Sequence, residues 1–408
     1  MIPVSPLSAD YPGGNIVLER FEGARVWVAP DYRHMQDGCR WFYWNFRAEN
    51  REPLTVVFSH RDCIAAHGPA ISRDGGRSWE WLGREVVREV RISGTDGTDG
   101  TDGSDRDING GERSPADVEY SFTIPPVNEG EEVRDAFCPP YLESHLRAWM
   151  ERHGGEAALC LSELCRSRKG RSVELLTIQE PDGPEPSGTV LLTARHHCCE
   201  SMASYTLEGF LEAALGRDDA ARSFRRSHRI LAVPFVDKDG VEEGDQGKNR
   251  APHDHNRDYG PAPIYPEVAA VMELARGQQP PVSAFFDLHC PMVHGPWDNR
   301  LYIVGSELAS MERKQDAFAA VLKRSATGPV RLQAGGVLHF GEAWNTATNY
   351  SAGLAAAKWG ASTLEKAEVV ATIEVPYANA EGAVVTPDSA RRLGGDLFHA
   401  LAEYLRND

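Results

Sequence analysis

Long apolar runs are missing from the sequence. No stretch approaches the roughly 18 to 20 apolar residues that a membrane-spanning helix requires. The first seven residues, Met1 to Leu7, contain neither the basic segment nor the apolar segment of a secretory signal peptide. We therefore expect no signal peptide and no membrane partner.

Cysteine is also scarce. Eight cysteines in 408 residues are too few to indicate a disulfide framework. Cys198, Cys199 and Cys290 lie beside histidine and glutamate residues that are candidate metal ligands, and thiols at such positions persist best in a reducing compartment. The sequence therefore predicts a cytoplasmic protein.

Basic residues are outnumbered by acidic ones, with 43 lysines and arginines against 60 aspartates and glutamates, a net charge of −17. The excess is unevenly distributed, because residues 94–135 contain twelve acidic and three basic residues, a net of −9, and the rest of the chain carries −8. This acidity does not favour nucleic acid as a partner. Because the acidic excess is concentrated in residues 94–135, it describes that segment and does not indicate the charge of the substrate.

Residues 1–127 are predicted to form an all-β sandwich domain. They contain short runs that alternate or are rich in aromatic residues, with turns between them and no helical period. Residues 94–111 repeat Gly-Thr-Asp and have few apolar side chains, which predicts a mobile loop. The expected strands span 15–18, 24–29, 41–47, 54–58, 86–92 and 118–124.

Residues 128–408 are predicted to form the second domain, an α/β catalytic domain. Apolar strands alternate with helical patterns there, which is typical of an α/β/α sandwich on a mixed sheet. Helices are expected from Tyr141, from Ser201 as an N-cap, and after Pro387. The expected strands span 172–179, 188–194, 230–235, 284–288, 301–304 and 369–374.

Three of these strands are followed by, or end in, residues that can bind a metal. His197 and Glu200 follow strand 188–194, His289 follows strand 284–288, and Glu374 ends strand 369–374. Imidazole and carboxylate groups are ligands of catalytic zinc, and open α/β sheets bind ligands at the carboxyl ends of their strands. A single His-x-x-Glu is more often a buried histidine beside a surface glutamate. Three such strand ends in one chain favour a metal site.

The order of these segments and their local residue patterns resemble those of the zinc carboxypeptidases, and most closely the cytosolic carboxypeptidase branch that includes tubulin deglutamylases. The resemblance extends upstream to an N-terminal β-sandwich and to the entry of the catalytic domain. The matching segments are Ala194-Arg195-x-His197-x-x-Glu200, Asp239-Gly240-Val241, Asp254-x-Asn256-Arg257, Asp287-x-His289, Thr372-Ile373-Glu374, Gly14-Asn15-Ile16, Trp41-Phe42-Tyr43-Trp44 and Phe137-Cys138-Pro139-Pro140-Tyr141.

The resemblance implies a zinc-dependent metallocarboxypeptidase that removes C-terminal residues from peptides or proteins. His197, Glu200 and His289 would hold one Zn²⁺ per chain, with His196 as a competing ligand that the family pattern does not match. Glu374 would act as the general base.

The resemblance also assigns the polar segment between the ligands. Arg250 would stabilise the developing oxyanion, Asn256 and Arg257 would bind the terminal carboxylate of the substrate, and Asp254 would orient His197. Tyr350 is the candidate for the mobile tyrosine of the family.

Two departures and two alternatives remain. The branch usually has Pro-Gly inside its His-x-x-Glu, where this chain has Cys198-Cys199. The mobile tyrosine of the family has no clear counterpart here, which is the second departure, and Tyr350 is the best candidate for it. Selection of acidic C-termini would need a basic group in the pocket, for which Lys358 is the candidate. The first alternative is a zinc amidohydrolase of the same fold that acts on an N-acyl amino acid, and the second is a non-catalytic binding module. The released residue, the natural substrate and the oligomeric state stay open.

Overall fold

The computed structural model describes residues 6–36, 40–91 and 118–406. The loop predicted at residues 94–111 lies outside the described residues. No helix in the described part of the chain is long and apolar enough to cross a membrane.

The N-terminal part of the chain forms two five-stranded sheets. The first has the strand order β1-β4-β10-β6-β7, and the second has the order β2-β3-β5-β9-β8. The strands are β1 (Leu7–Ser8), β2 (Val17–Glu22), β3 (Arg25–Ala29), β4 (Asn45–Ala48), β5 (Leu54–Phe58), β6 (Ala70–Ser72), β7 (Glu80–Trp81), β8 (Arg88–Arg91), β9 (Val118–Ile124) and β10 (Val133–Ala136).

Aromatic side chains fill the space between these two sheets. Trp44 precedes β4 and stacks on Phe46 of the first sheet, with ring centroids 5.4 Å apart. The same indole contacts Phe58 of β5 and Phe122 of β9 in the second sheet. All four side chains are fully or almost fully buried, so the aromatic residues that indicated a sandwich form its core.

Strand β10 lies beyond residue 127, where the sequence predicts the domain boundary, and it pairs with β4 and β6 of the first sheet. The sequence did not indicate β10, because this strand has four residues and shows no clear alternation of apolar and polar side chains. The division into domains at residues 127 and 128 stays a prediction.

The C-terminal part of the chain alternates strands and helices. Its strands are β11 (Leu159–Arg166), β12 (Ser172–Ile178), β13 (Gly188–Ala194), β14 (His228–Val233), β15 (Val282–His289), β16 (Tyr302–Val304), β17 (Val337–Leu338), β18 (Val369–Glu374), β19 (Asn379–Ala380) and β20 (Ala383–Val384). Its helices are α1 (Glu143–His153), α2 (Ser201–Ala214), α3 (Asp219–Ser227), α4 (Lys238–Glu243), α5 (Pro266–Arg276), α6 (Ala309–Ser325), α7 (Ala356–Thr363) and α8 (Pro387–Tyr404).

Eight of these strands form one mixed sheet in the order β11-β12-β14-β13-β15-β18-β16-β17. Helices α2, α6 and α8 pack on one face, against side chains such as Val190 and Phe286. Helices α5 and α7 pack on the other face, against Leu191 and Phe285. This α/β/α arrangement, preceded by a β-sandwich, confirms the predicted fold class.

The centre of the sheet determines where the candidate site forms. Strands β13, β15 and β18 are parallel neighbours, and the register pairs Ala194 with Leu288 and His289 with Glu374. Because parallel strands end at the same edge of a sheet, the residues that follow these three strands lie together.

Candidate metal centre and substrate cavity

A sharp turn after β13 positions the first two candidate ligands. The turn begins at Arg195, which has a left-handed φ of 63°. The buried guanidinium of Arg195 donates hydrogen bonds to the backbone oxygens of Cys198 and Tyr141 and to Ser204 Oγ. These bonds hold the turn against α2, which begins at Ser201. The residue in the cap position is Glu200, not Ser201 as the sequence predicted.

His197, Glu200 and His289 converge on one point. Nδ1 of His197 lies 2.8 Å from Glu200 Oε1, and Nδ1 of His289 lies 2.8 Å from Glu200 Oε2. One donor atom from each residue lies within 4.8 Å of the other two, and all three side chains are buried. The structure therefore brings together all three ligands that the sequence analysis selected.

Each imidazole is oriented through its other nitrogen. Nε2 of His197 lies 3.3 Å from Asp254 Oδ1, and Nε2 of His289 lies 2.8 Å from Asp287 Oδ2. Carboxylates in this position fix the ring orientation of metal-binding histidines and increase their basicity. Asp254 therefore lies where the resemblance implied, next to His197.

The electrostatics of the cluster favour a bound cation. Burial opposes ionisation of Glu200, but the two imidazoles lower its pKa to about 2. Burial lowers the pKa of His197, yet the carboxylates of Glu200 and Asp254 raise it to about 9. The pKa of His289 is raised well above its usual value by Asp287 and Glu200, again against burial. The carboxylates of Glu200, Asp254 and Asp287 therefore favour the positively charged form of the two imidazole rings.

His196, the competing ligand, is engaged elsewhere. Its Nε2 lies 2.7 Å from the hydroxyl oxygen of Tyr259, and its Nδ1 lies 2.8 Å from Asp287 Oδ1. Its side chain is completely buried and does not line the cavity described below. His196, Asp287 and His289 also come close enough to bind a metal, but Asp287 already links the two rings.

The donor set at His197, Glu200 and His289 fits a zinc ion. Two imidazole nitrogens and one carboxylate form one of the ligand sets of catalytic zinc, which leaves a coordination position open. The ligands follow adjacent strands of a packed sheet, and carboxylates outside the cluster hold both rings. Because these ligands bind metal in their deprotonated form, a divalent cation would replace the protons that the cluster attracts.

Glu374 is close to this cluster. It is paired with His289 across the β15–β18 ladder, is buried, and lines the same cavity. Among the described residues its Oε2 has no hydrogen-bond partner. Burial raises its pKa to about 8, with His289 opposing the shift and Glu200 adding to it.

A cavity of about 400 Å³ opens beside the cluster. It is lined by the three candidate ligands, Glu374, and both Asn256 and Arg257. A 3-10 turn (His255–Arg257), capped by the Asp254 side chain, presents Asn256 and Arg257 to this space. Further lining residues are Trp41, Lys248, Met292, Trp297, Tyr302, Trp344, Asn349, Tyr350 and Thr372.

Two contacts hold the Arg257 guanidinium at the wall of the cavity. Its Nε donates to the backbone oxygen of Asn349 at 3.2 Å, and its Nη1 donates to the backbone oxygen of Asn256 at 2.7 Å. The amide of Asn256 is fixed as well, because its Oδ1 accepts from the Ala356 N–H and its Nδ2 lies 3.0 Å from His289 Nε2.

Arg250 is not brought into the cavity. Its Nη1 lies 2.5 Å from Asp237 Oδ2, and its Nη2 lies 2.9 Å from Asp245 Oδ2. The lysine two residues earlier, Lys248, lines the cavity instead and donates from Nζ to Asn349 Oδ1 at 2.9 Å. No motif in the sequence assigns a role to Lys248, because the resemblance assigns the oxyanion role to Arg250. The oxyanion role of Arg250 stays a prediction.

Tyr350 and Lys358 have different positions. Tyr350 lines the cavity, and its ring lies beside both Arg257 and the ammonium of Lys358. Lys358 is ion-paired with Glu307 and does not line the cavity, so it offers no basic group there. Cys198 and Cys199 are buried outside the cavity, whereas Cys290 lines it.

Comparison with protein-family models matches residues 146–380 of this chain to the zinc carboxypeptidase family. Among curated proteins, the chain is 27% identical over 266 residues to cytosolic carboxypeptidase 6 of Caenorhabditis elegans, covering 61% of this chain and 54% of that protein. It is 32% identical over 147 residues to cytosolic carboxypeptidase 2 of Danio rerio, covering 34% of this chain and 20% of that protein. The chain thus spans about half or less of these relatives.

Among solved structures, a metallo-carboxypeptidase from Burkholderia cenocepacia has the same fold. The two align with a TM-score of 0.72 over 98% of this chain and 99% of the other. Their sequence identity is 20%, so this likeness concerns the fold. It includes the N-terminal sheets as well as the mixed sheet.

Proposed function

The chain belongs to the zinc carboxypeptidase family, and from this premise we propose that it is a metallocarboxypeptidase that removes residues from the C-terminus of peptides or proteins. One observation carries the proposal. A buried cluster suited to zinc and an arginine–asparagine pair suited to a carboxylate line one cavity. That combination can hold the last peptide bond of a chain beside a metal.

His197, Glu200 and His289 would hold the zinc, with one ion per chain. When bound, zinc polarises a carbonyl group and makes water a stronger nucleophile at neutral pH. Asp254 and Asp287 would keep the two rings in place, since each lies at the ring nitrogen that faces away from the cluster.

Glu374 would be the general base. Its Oε2 would accept a proton from the attacking water and then deliver a proton to the amide nitrogen of the leaving residue. The bond between the carbonyl carbon and that nitrogen breaks, and the shortened peptide leaves as a carboxylate. Burial raises the pKa of Glu374, which makes its carboxylate a stronger base towards the proton of the attacking water.

Asn256 and Arg257 would bind the terminal carboxylate. A guanidinium has five N–H donors in a planar fork, and two of those of Arg257 are engaged by backbone oxygens. The remaining donors can form the two parallel hydrogen bonds that a carboxylate accepts. Binding at this point would select free C-termini.

The cellular setting is also a proposal. All seven cysteines in the described parts of the chain are unpaired, which suits a reducing compartment, and the curated relatives are named cytosolic. We place the protein in the cytoplasm with a peptide or protein C-terminus as its substrate, and with neither nucleic acid nor membrane as a partner.

Three substrates test the proposed function. The zinc-loaded protein is incubated with a peptide that has a free C-terminus, with its C-terminally amidated twin, and with an N-acyl amino acid. Mass spectrometry should show single residues lost in order from the free peptide, and almost no reaction of the other two. Equal cleavage of both peptides would contradict the proposal, and release of the acyl group without trimming would favour the amidohydrolase alternative.

A further inference from the structure

A second cavity, of about 320 Å³, opens at one end of the β-sandwich and is called the sandwich cavity below. Strands β3 and β5 are parallel neighbours, and their last residues, Ala29 and Phe58, both line it. Val17, the first residue of β2, pairs with Ala29 and lines it as well. The other lining residues are Glu19, Val28, Pro30, Tyr32, Arg40, Ser59, His60 and Cys63. Among the described residues, none also lines the substrate cavity beside the metal cluster.

The sandwich cavity suits an apolar side chain. Val28, Phe58 and Cys63 form its inner wall, and each of them is at most 1% exposed. Phe58 belongs to the aromatic core of the sandwich, so the space runs from the surface down to that core. The charged residues Glu19 and Arg40 line the cavity too and are exposed. An apolar interior with a few polar groups is typical of sites that bind ligands.

Two links join the sandwich cavity to the substrate cavity. Arg40 lines the sandwich cavity, and the next residue, Trp41, lines the substrate cavity. His60 also lines the sandwich cavity, and the backbone oxygen of the next residue, Arg61, lies 3.3 Å from Nε2 of His294. His294 lines the substrate cavity. Because consecutive Cα atoms are about 3.8 Å apart, the wall between the two cavities is one residue thick at Arg40 and Trp41.

Buried hydrogen bonds hold this end of the sandwich against the segment that follows α4. Gln246, which is completely buried, donates from Nε2 to the backbone oxygens of Asp31 and Tyr43, at 3.1 Å and 2.7 Å. Nδ2 of Asn15 donates to the backbone oxygen of Gly244 at 2.8 Å. These bonds fix the distance between the two cavities, so a ligand that spans both would meet a surface that is already formed.

Trp41 borders the metal cluster. A Cβ added to Gly247 would lie 3.2 Å from both His197 Cβ and Trp41 Nε1, so the indole and the candidate ligand pack against the same glycine. In the proposed function Arg257 binds the terminal carboxylate and the cluster faces the last peptide bond. The residues before that bond therefore continue past the cluster, and the wall that Trp41 forms there is shared with the sandwich cavity.

We propose that the sandwich cavity binds an apolar side chain of the substrate polypeptide, several residues before the bond that is cleaved. The inference rests on the proposed carboxypeptidase function and adds a requirement on the sequence ahead of the C-terminus. Contacts remote from the reacting bond contribute to its positioning, so binding in the sandwich cavity would help to hold the last peptide bond at the metal cluster. The chemical step itself stays with the cluster and Glu374.

A series of peptides tests the proposal on the zinc-loaded chain. Each decapeptide has the same last three residues and a body of glycine and serine, with one phenylalanine placed in turn at each upstream position. Mass spectrometry measures the initial release of the last residue. We expect kcat/KM to rise by about tenfold at one position or two adjacent ones, because a buried phenylalanine is strongly favourable even after the cost of ordering it. The tripeptide with the same last three residues lacks the upstream segment and gives the reference rate.

Val17→Asp and Val90→Asp form a matched pair of variants. Val17 lines the sandwich cavity and is 41% exposed, whereas Val90 is 48% exposed on β8, at the opposite edge of the same sheet, and lines neither cavity. Val17→Asp should reduce the advantage of the best phenylalanine position to about twofold or less, because a carboxylate at the rim opposes an apolar side chain. It should leave kcat/KM for the tripeptide unchanged, and Val90→Asp should leave both values unchanged.

Several outcomes would overturn the inference. They are a parent chain that trims every decapeptide at the same rate, a folded Val17→Asp that keeps the full advantage, and an equal loss in Val90→Asp. A dimeric parent that becomes monomeric in Val17→Asp, measured by sedimentation, would show that a second copy fills the cavity. Thermal unfolding shows whether Val17→Asp folds, and Ser59→Trp at the exposed rim replaces it if it does not. Failure of the proposed function looks different, because the parent chain would then not trim even the tripeptide.

Discussion

Arg257→Ala should slow the trimming of a peptide with a free C-terminus and remove the preference for it over an amidated peptide. In the structure this guanidinium donates to two backbone oxygens and keeps its other N–H groups for the cavity. Two charge-assisted hydrogen bonds to a terminal carboxylate contribute about 1.5–3 kcal/mol each. Their loss corresponds to a fall in kcat/KM of about 10²–10⁴ for the free peptide, at about 1.36 kcal/mol per factor of ten.

The amidated twin is the matched control for this prediction. It lacks the charge that Arg257 binds, so the parent chain should prefer the free peptide by a factor of about 10²–10⁴, and Arg257→Ala should reduce that preference to about tenfold or less. Arg257→Lys should recover little, because an ammonium cannot reproduce the two parallel bonds. Competition kinetics with both peptides in one reaction gives the ratio directly. Equal slowing of both peptides in Arg257→Ala would contradict a carboxylate-binding role, since the arginine would then act only through its contacts with Asn256 and Asn349.

Glu374 and Arg250 give two further predictions. Glu374→Gln should retain zinc and fold but lower kcat by about 10²–10⁴, the effect of a positioned general base; parent-like turnover with zinc bound would remove that role. Arg250→Ala should lower the free energy of unfolding by about 3–5 kcal/mol, because it removes the cation that two buried carboxylates share; a denaturant titration that shows less than about 1 kcal/mol would contradict the buried pairing.

The central strands were the most predictable part of the fold. The strand bounds predicted at 188–194 and 369–374 agree with the structure, because both segments are apolar, rich in β-branched residues and clearly bounded. The proximity of the strand ends was also predictable, because parallel strands end at the same edge of a sheet. The short strands β1, β6, β7 and β10 could not be found, since two to four residues contain too little periodicity.

The candidate site was predictable in its residue types and less so in the direction of its side chains. Four residues of the site lie at strand ends or shortly after them: His197, Glu200, His289 and Glu374. Their positions therefore depend on backbone that the sequence specifies strongly. The polar segment before Arg257 is irregular, and the direction of Arg250 depends on its pairing with acidic residues that precede it in the chain. No local pattern predicts that pairing, and for the same reason Lys248 received no role.

The turn that carries the first two candidate ligands could not be predicted either, because its residues follow no periodic pattern. Arg195 adopts a left-handed conformation and holds the loop with buried hydrogen bonds to Cys198 and Tyr141. The family motif contains this arginine, but its structural task is evident only once α2 and the segment before α1 are packed together. The departure at Cys198-Cys199 adds no side chain to the cavity, because both thiols are buried outside it.

The proposed zinc dependence is tested most directly by a zinc titration of the chelator-treated chain, with release of the C-terminal residue of a free peptide followed by mass spectrometry. Zinc dependence at this site predicts no release without zinc, a rise in activity that levels off near one zinc per chain, and loss of that binding in His289→Ala because one of the three candidate ligands is removed. Release that persists in the stripped chain, or zinc-restored activity that survives in His289→Ala with parent-like affinity for the metal, would contradict it.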